Sequence, residues 1–239
     1  MLYKGFDSRK LKNMLYIVST PIGNLKDISE RALEILRSVR TIIAESPNDS
    51  VKLLNAYGIK GKGLFKYNDL NMKRAQKEVE VILNEGDVAY ITSAGTPGIS
   101  DPGQNLVDTA RKLGIETRVI PGPSALVSAI AMSGIRARQF AFISFPPKKP
   151  GQLRNLFKDF MAREEVLIFF ESTHRIIKTI EALNEVAPDS NLFIAKEMTK
   201  MFERYFRGKP AKVLDEMKND AKSTKGEFVA IADFSSKNK

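Results

Sequence analysis

Ile91-Thr-Ser-Ala-Gly-Thr-Pro-Gly-Ile-Ser-Asp-Pro-Gly103 joins a short apolar run to a segment of helical period, and its own composition is that of a rigid turn. Residues 88–92 upstream read as a buried strand, like residues 15–19, an apolar run without alternation. Residues 104–113 downstream have helical spacing and stop at Gly114. Within the turn, Gly95, Gly98 and Gly103 permit positive φ or close backbone approach, while Pro97 and Pro102 lock φ. A constrained loop at the carboxyl end of a buried strand is where open α/β sheets bind ligands.

The same rhythm extends in both directions. Upstream, residues 15–19 read as a strand, and Thr20-Pro-Ile-Gly-Asn24 as a turn. Asp27 is expected to open a helix, with Glu30 completing a capping box and Ile28, Ala32, Leu33, Ile35, Leu36 and Val39 as its apolar stripe. Residues 41–44 form the next strand, and 73–84 a helix that leaves through Glu85-Gly-Asp87. Downstream, residues 117–120 are a strand. Pro121-Gly-Pro-Ser-Ala125 then opens a small-residue helix over 124–133, with Ser124 as N-cap and Gly134 as stop. Backbone N–H groups at such a helix start can hold a carboxylate or phosphate. Alternation of this kind predicts an α/β fold with a mostly parallel sheet and helices on both faces.

A second half continues in the same style. Residues 140–145 read as a strand, and Pro146-Pro-Lys-Lys-Pro-Gly151 as a linker, which puts a domain boundary between Gly134 and Gly151. The expected organisation is an arm over 1–13, a first domain over 14–135 and a second over 136–239. In the second, 153–161, 172–186 and 211–219 are helical, and 166–170, 192–195 and 228–234 are strands.

The chain has 239 residues, 38 Lys+Arg against 28 Asp+Glu and a net charge of +10, an excess that favours a polyanionic partner. It has no cysteine and one histidine, so thiolate chemistry is excluded, no metal site is expected, and a reducing compartment fits. No apolar run reaches the roughly 18–20 residues of a membrane span. Residues 1–13 carry Lys4, Arg9, Lys10 and Lys12 with no apolar core, and read as a disordered arm and not a secretory signal. No G-x-x-x-x-G-K-[ST] loop, no G-x-G-x-x-G after the first strand and no G-x-S-x-G elbow is present.

Three more segments carry polar chemistry. Phe169-Phe-Glu-Ser-Thr-His-Arg175 sits at a strand-to-helix junction. There Ser172 or Thr173 can cap the helix, Glu171 and His174 are general-base candidates, and Arg175 can clamp an anion. Residues 195–208 carry Lys196, Lys200, Arg204 and Arg207, either a solvated charged face or a track for phosphates. Lys225-Gly-Glu-Phe-Val229 opens the last strand, with Gly226 allowing close approach.

Six ordered motifs resemble those of the ribosomal RNA small subunit methyltransferase I family, of the tetrapyrrole methylase superfamily. They are Leu15-Tyr-Ile-Val-Ser-Thr-Pro-Ile-Gly-Asn-Leu25, the loop over 94–103, Pro121-Gly-Pro-Ser-Ala125, Glu171-Ser-Thr-His-Arg175, Lys196-Glu-Met-Thr-Lys200 and Lys225-Gly-Glu-Phe228. The resemblance covers roughly residues 14–233. It implies two α/β domains of the tetrapyrrole methylase type (class III methyltransferases) with the active site in an inter-domain cleft. It also implies S-adenosylmethionine as methyl donor and a cytoplasmic homodimer. The implied substrate is small-subunit (16S) rRNA or the 30S particle, methylated on the ribose 2′-hydroxyl of a decoding-centre cytidine. Carried over by motif, Ile22, Gly95, Thr96, Pro97, Gly98 and Ile99 line the cofactor pocket. Ser124 and Ala125 contact the methionine end or adenosine, and Phe170, Ala195 and Gly226 contribute from the second domain. Glu171 is the first candidate base, Lys196 a candidate to stabilise the developing alkoxide or act as base, and Arg175, Lys200 and Arg204 would hold phosphates.

Two runs depart from the family pattern. Ala44-Glu-Ser-Pro-Asn48 stands where the family has Ala-Glu-Asp-Thr-Arg, and Ser93 stands where it has an aspartate. Three other readings therefore stay open: a methyltransferase of this fold acting on a tetrapyrrole precursor, one acting on a different RNA, and a non-catalytic RNA-binding relative.

Overall fold

The computed structural model describes residues 13–235, apart from Asp69, Met72, Pro102 and Ala221. Residues 1–12 and the φ expected of Pro102 lie outside the described residues. Asn13, the last residue of the expected arm, donates its side-chain amide to the Leu83 carbonyl at 3.1 Å.

Contacts divide the chain into two compact units, Met1–Pro123 and Ser124–Lys239. The first contains β1 (Met14–Val18), α1 (Glu30–Ser38), β2 (Thr41–Ala44), α2 (Pro47–Ala56), β3 (Gly63–Lys66), α3 (Gln76–Glu85), β4 (Val88–Ile91), α4 (Gly103–Lys112) and β5 (Glu116–Ile120). A short 3₁₀ turn, Leu25–Asp27, precedes α1. The strands form one parallel sheet in the order β3-β2-β4-β1-β5. Every residue of β1 and β4 is buried, because alternate side chains feed two separate cores. Met14, Tyr16 and Val18 pack with Ala32, Leu36 and Leu54 on the α1–α2 face. Leu15 and Ile17 pack with Val79, Leu83, Leu106 and Ala110 on the α3–α4 face. Full burial of a side chain such as Leu36 contributes about 1.5–3 kcal/mol. The crossover from β1 runs past β4 to β2, and that from β4 runs past β1 to β5. The carboxyl ends of β1 and β4 are therefore the point where strand order reverses, and loops 19–24 and 92–102 leave from it.

The second unit contains α5 (Ala125–Ser133), β6 (Phe140–Phe142), α6 (Pro150–Arg163), β7 (Val166–Ser172), α7 (Ile176–Val186), β8 (Asn191–Lys196), β9 (Arg204–Gly208), α8 (Pro210–Lys218) and β10 (Glu227–Asp233). Its sheet order is β6-β7-β10-β8-β9, and only β6 and β7 run parallel. The expectation of a mostly parallel sheet therefore describes the first unit and is corrected for the second. The last strand inserts between β7 and β8, antiparallel to both, and β9 folds back on β8.

Several local expectations also change. The N-cap of α1 is Ser29, whose Oγ accepts the Ala32 N–H at 3.2 Å, and not Asp27, which ends the 3₁₀ turn. Ser124 occupies the N-cap position of α5 in extended conformation but makes no side-chain capping bond. Ser172 and Thr173 do not cap α7, whose N-cap is Arg175. The helix α5 belongs with the second unit because it packs against β10 and β8. The contacts thus change hands at Ser124, ahead of the Gly134–Gly151 interval. The Pro-rich run expected to be a linker lies inside the second unit, and its Pro150 starts α6.

Candidate functional site

In the first unit, three loops are tied together by their backbones. Thr20 and Gly95 exchange N–H···O bonds of 2.9 and 3.0 Å as an isolated antiparallel bridge, which joins the β1 exit to the β4 exit. Ser19 N–H reaches the Ile120 carbonyl at 3.1 Å. A hydroxyl relay crosses the same place: Ser19 Oγ donates to Thr96 Oγ1 at 2.9 Å, and Thr96 Oγ1 donates to the Pro123 carbonyl at 3.0 Å. Gly122 is required by close approach, since a Cβ there would lie 2.9 Å from the Ser19 Cβ. Gly95 is required by its φ of +80°, and a Cβ on it would touch the Ile22 side chain at 3.4 Å. These contacts bring together Ile22, Gly95 and Thr96 as the sequence reading expected, and add Ser19 and Gly122.

The far half of the 92–103 loop is organised by one carboxylate. Asp101 Oδ2 accepts the N–H groups of Gly98 at 2.7 Å and Ile99 at 3.0 Å, and Oδ1 accepts that of Gly103 at 2.8 Å. The buried Tyr90 hydroxyl also donates to Oδ1 at 3.3 Å. Burial, with Asp101 and then Glu45 adding negative charge, pushes the Tyr90 phenol up, so it stays protonated and donates. Gly98 has φ +96° with open space where a Cβ would stand, and its backbone is exposed. Sequence reasoning missed Asp101 as the organiser, although an acid two or three residues from glycine N–H groups is the signal of an Asx-type turn. At the two departures from the family pattern, the Ser93 N–H donates to Oε2 of Glu45, a residue that keeps the family's identity, at 3.0 Å, and Ser46 Oγ donates to Asp49.

In the second unit, the sheet brings the remaining candidates to one end. Glu171 pairs across to Phe228, Phe228 to Lys196, and Lys196 to Arg204, a single row over β7, β10, β8 and β9. Side chains opposite one another in a row share a face, so Glu171, Lys196 and Arg204 lie on the face covered by α6, α7 and α8. Phe170, Ala195 and Tyr205 lie in the next row and point to the other face, the one α5 packs against. The residues read as catalytic and those read as second-domain cofactor contacts are therefore on opposite faces of one sheet.

Each candidate has defined partners. The Glu171 side chain has no exposed surface. Its Oε1 accepts the Ser172 N–H at 2.8 Å, its Oε2 accepts the Thr179 hydroxyl at 2.7 Å, and Arg175 lies 3.4 Å away. The Arg175 guanidinium also donates to the carbonyls of Pro146 at 2.9 Å and Pro147 at 3.0 Å. Lys196 is buried. Lys200 bridges Glu197 at 3.0 Å and Glu227 at 2.7 Å. Arg204 pairs with Asp220 and reaches Ser223 Oγ at 2.8 Å. Phe170 packs edge-on against Phe142 and Phe145, with centroids at 5.0 and 5.9 Å. Gly226 has φ +130° and sits against Glu197, with its N–H and carbonyl both bonded to the Thr173 hydroxyl at 2.9 Å. Burial opposes ionisation of Glu197, but the Glu227 N–H and the Lys200 and Lys196 cations outweigh it and hold the carboxyl below its usual range. Burial likewise opposes the Lys200 charge, and Glu227 and Glu197 outweigh it and raise the ammonium. Among the described residues, no cluster of His, Cys, Asp and Glu is arranged to hold a metal ion, and no helix is long and apolar enough to cross a membrane.

Two α/β units with these sheets and glycine-rich exits define the tetrapyrrole methylase class. Residues 14–213 match the family described as Tetrapyrrole (Corrin/Porphyrin) Methylases. The fold is shared with the methyltransferase CobJ, at TM-score 0.65 and 17% identity over 92% of this chain and 94% of that one. It is shared also with uroporphyrin III C-methyl transferase from Thermus thermophilus, at TM-score 0.62 and 14% identity over 93% and 98%. At the level of sequence, the chain is 43% identical to ribosomal RNA small subunit methyltransferase I of Thermotoga maritima, over 91% of this chain and 96% of that protein. It is 39% identical to the protein of that name from Hydrogenobaculum, over 91% and 94%, and 38% identical to that of Escherichia coli O157:H7, over 93% and 78%. The chain therefore belongs to the tetrapyrrole methylase family and, within it, to the ribosomal RNA small subunit methyltransferase I family.

Proposed function

We propose that this enzyme transfers a methyl group from S-adenosylmethionine to the ribose 2′-hydroxyl of a cytidine in small-subunit rRNA, as a cytoplasmic homodimer. The observation that carries the reading is 43% identity over nearly the whole chain to a protein named for small-subunit rRNA methylation. The net charge of +10 agrees with a polyanionic substrate and disfavours a small tetrapyrrole precursor.

The cofactor loops fit a bulky ligand that approaches backbone. Gly98 leaves open space at positive φ, and the Thr20–Gly95 bridge and the Asp101 carboxylate fix the peptide planes around it. In this reading Ile22 and the 95–99 backbone hold the cofactor, with Ser124, Ala125, Phe170, Ala195 and Gly226 as further contacts. When bound, the cofactor supplies an electrophilic methyl on a sulfonium. The protein's task is to align the 2′-oxygen with that carbon, and proximity provides much of the rate. Of the two side chains read as catalytic, we retain Lys196. It is buried on the face opposite Phe170 and Ala195, but it is the last residue of β8, and its Nζ would have to turn around that strand end to stabilise negative charge developing on the 2′-oxygen. The Glu171 carboxylate has no exposed surface, and both its oxygens already accept hydrogen bonds.

Calorimetric titration with S-adenosylmethionine tests the cofactor, and the salt dependence of binding to small-subunit rRNA tests the substrate class. Saturable cofactor binding with a steep salt slope for RNA is expected. Cofactor binding with no salt-dependent RNA association would redirect the reading to a small-molecule methyltransferase.

A further inference from the structure

The connection from β6 to α6, whose Pro-rich part reads from sequence as a linker, is held at several points along its length. Ser144 takes φ +60°, and its carbonyl accepts the Phe170 N–H at 2.6 Å, which registers the β6 exit on β7. Pro146 and Pro147 fix two successive φ angles, and the Arg175 guanidinium donates to both of their carbonyls. Arg175 is held in turn by Glu171, and Glu171 by Thr179 on α7. A fully buried carboxylate with hydrogen-bonded oxygens, paired to an arginine that grips two loop carbonyls, is a clamp.

The clamped loop displays a distinct set of side chains. Phe145 is 54% exposed, although its ring edge rests on Phe170. Lys148 and Lys149 are exposed, and among the described residues neither forms an ion pair. Lys200 and Arg204, by contrast, are neutralised by Glu197, Glu227 and Asp220. An exposed aromatic ring followed closely by two uncompensated ammonium groups suits a single-stranded nucleic acid, with a base to stack and phosphates to neutralise.

We infer that residues 145–149 contact single-stranded RNA, with Phe145 stacking on an unpaired base and Lys148 and Lys149 on adjacent phosphates, and that Glu171 and Arg175 are the positioning residues that hold the loop in place. The inference rests on the proposed RNA substrate and assigns contacts within it. Preorganisation is the reason for the clamp: a loop fixed before binding loses little conformational entropy when RNA arrives.

The test is fluorescence anisotropy of a labelled, short, mixed-sequence single-stranded RNA with the full chain over a range of salt. Wild type should bind with a negative slope of log affinity against log salt. The Lys148→Ala/Lys149→Ala double variant should flatten that slope by about 1.4, as two lost phosphate contacts to a single strand require. Phe145→Ala should weaken binding on the order of tenfold with the slope unchanged. Arg175→Ala should weaken RNA binding in the wild-type background and add almost nothing in the double-lysine background, since it acts through the loop. Additive effects would overturn the positioning role, and an unchanged slope in the double-lysine variant would overturn the contact. If wild type binds RNA through this loop yet methylates none, the proposed function fails while this inference stands. If it methylates RNA with the loop variants binding normally, the reverse holds.

Discussion

Asp101→Ala removes one carboxylate that accepts three backbone N–H groups, those of Gly98, Ile99 and Gly103, at 2.7, 3.0 and 2.8 Å. Hydrogen bonds to a charged group contribute about 1.5–3 kcal/mol each when well shielded. Asp101 is only half-buried and the Gly98 N–H faces solvent, so water replaces part of what is lost. Counted at about 1 kcal/mol apiece, the three bonds come to about 3 kcal/mol, a factor of about 150 in the ratio of ordered to open loop. The buried Tyr90 hydroxyl loses its carboxylate as well. An apparent dissociation constant scales inversely with the fraction of binding-competent protein, so S-adenosylmethionine should bind roughly 10- to 100-fold more weakly by calorimetry. Hydrogen exchange should show lost protection at Gly98, Ile99 and Gly103 and none lost in β1 or β4. Asp101→Asn keeps one acceptor oxygen and should fall between the two. Cofactor affinity within twofold of wild type, or unchanged protection at those three amides, would refute the claim that Asp101 organises the loop.

Gly122→Ala places a methyl 2.9 Å from the Ser19 Cβ, and the melting temperature should fall by a few degrees for a cost of about 1–3 kcal/mol. Glu171→Ala strands the Thr179 hydroxyl and the Arg175 charge, so urea unfolding should show a loss of about 3 kcal/mol, while the surviving protein keeps its turnover at saturating RNA. Lys196→Ala should do the opposite, lowering kcat by roughly 100-fold in a single-turnover methyl-transfer assay. The Glu197 carboxyl is depressed in the folded state, so its stabilisation is present above the unfolded value of about 4.5 and is lost as pH falls through the folded value. Lys200 is raised, so its share is complete below about 10.5 and is lost as pH rises through the folded value. Thermal melts of Glu197→Gln against wild type should therefore differ most near neutral pH and converge in acid.

The first unit was legible because its central strands β1 and β4 are buried on both faces and its turns are written in glycine and proline. Residues 88–92 and 15–19 announced β4 and β1, and the turns after them were placed correctly without a structure. The α2 helix and β3 were not read: α2 starts at Pro47 inside a run noted only for departing from a family motif, and the half-exposed β3 lacks a long apolar signature. The second sheet was harder for a topological reason. Whether Glu227–Asp233 adds at an edge or inserts between β7 and β8 depends on pairing across distant residues, which local patterning does not encode. That insertion puts Glu171 and Lys196 in one row and Phe170 and Ala195 in the next. The segment 195–208 concealed β9, because Arg204, Tyr205 and Arg207 are exposed and Phe206 alone is buried, so its charges masked the strand period. Motif order conveyed the family, and only the fold conveyed which charges are already paired.

Methyl transfer from labelled S-adenosylmethionine to small-subunit ribosomal particles, followed by mapping of the modified nucleotide, bears most directly on the proposed activity. The account predicts a single labelled cytidine carrying the methyl on its ribose 2′-oxygen, with no label in the absence of the enzyme. Absence of 2′-O-methylation on any small-subunit RNA, under conditions where the protein binds the cofactor, would contradict it.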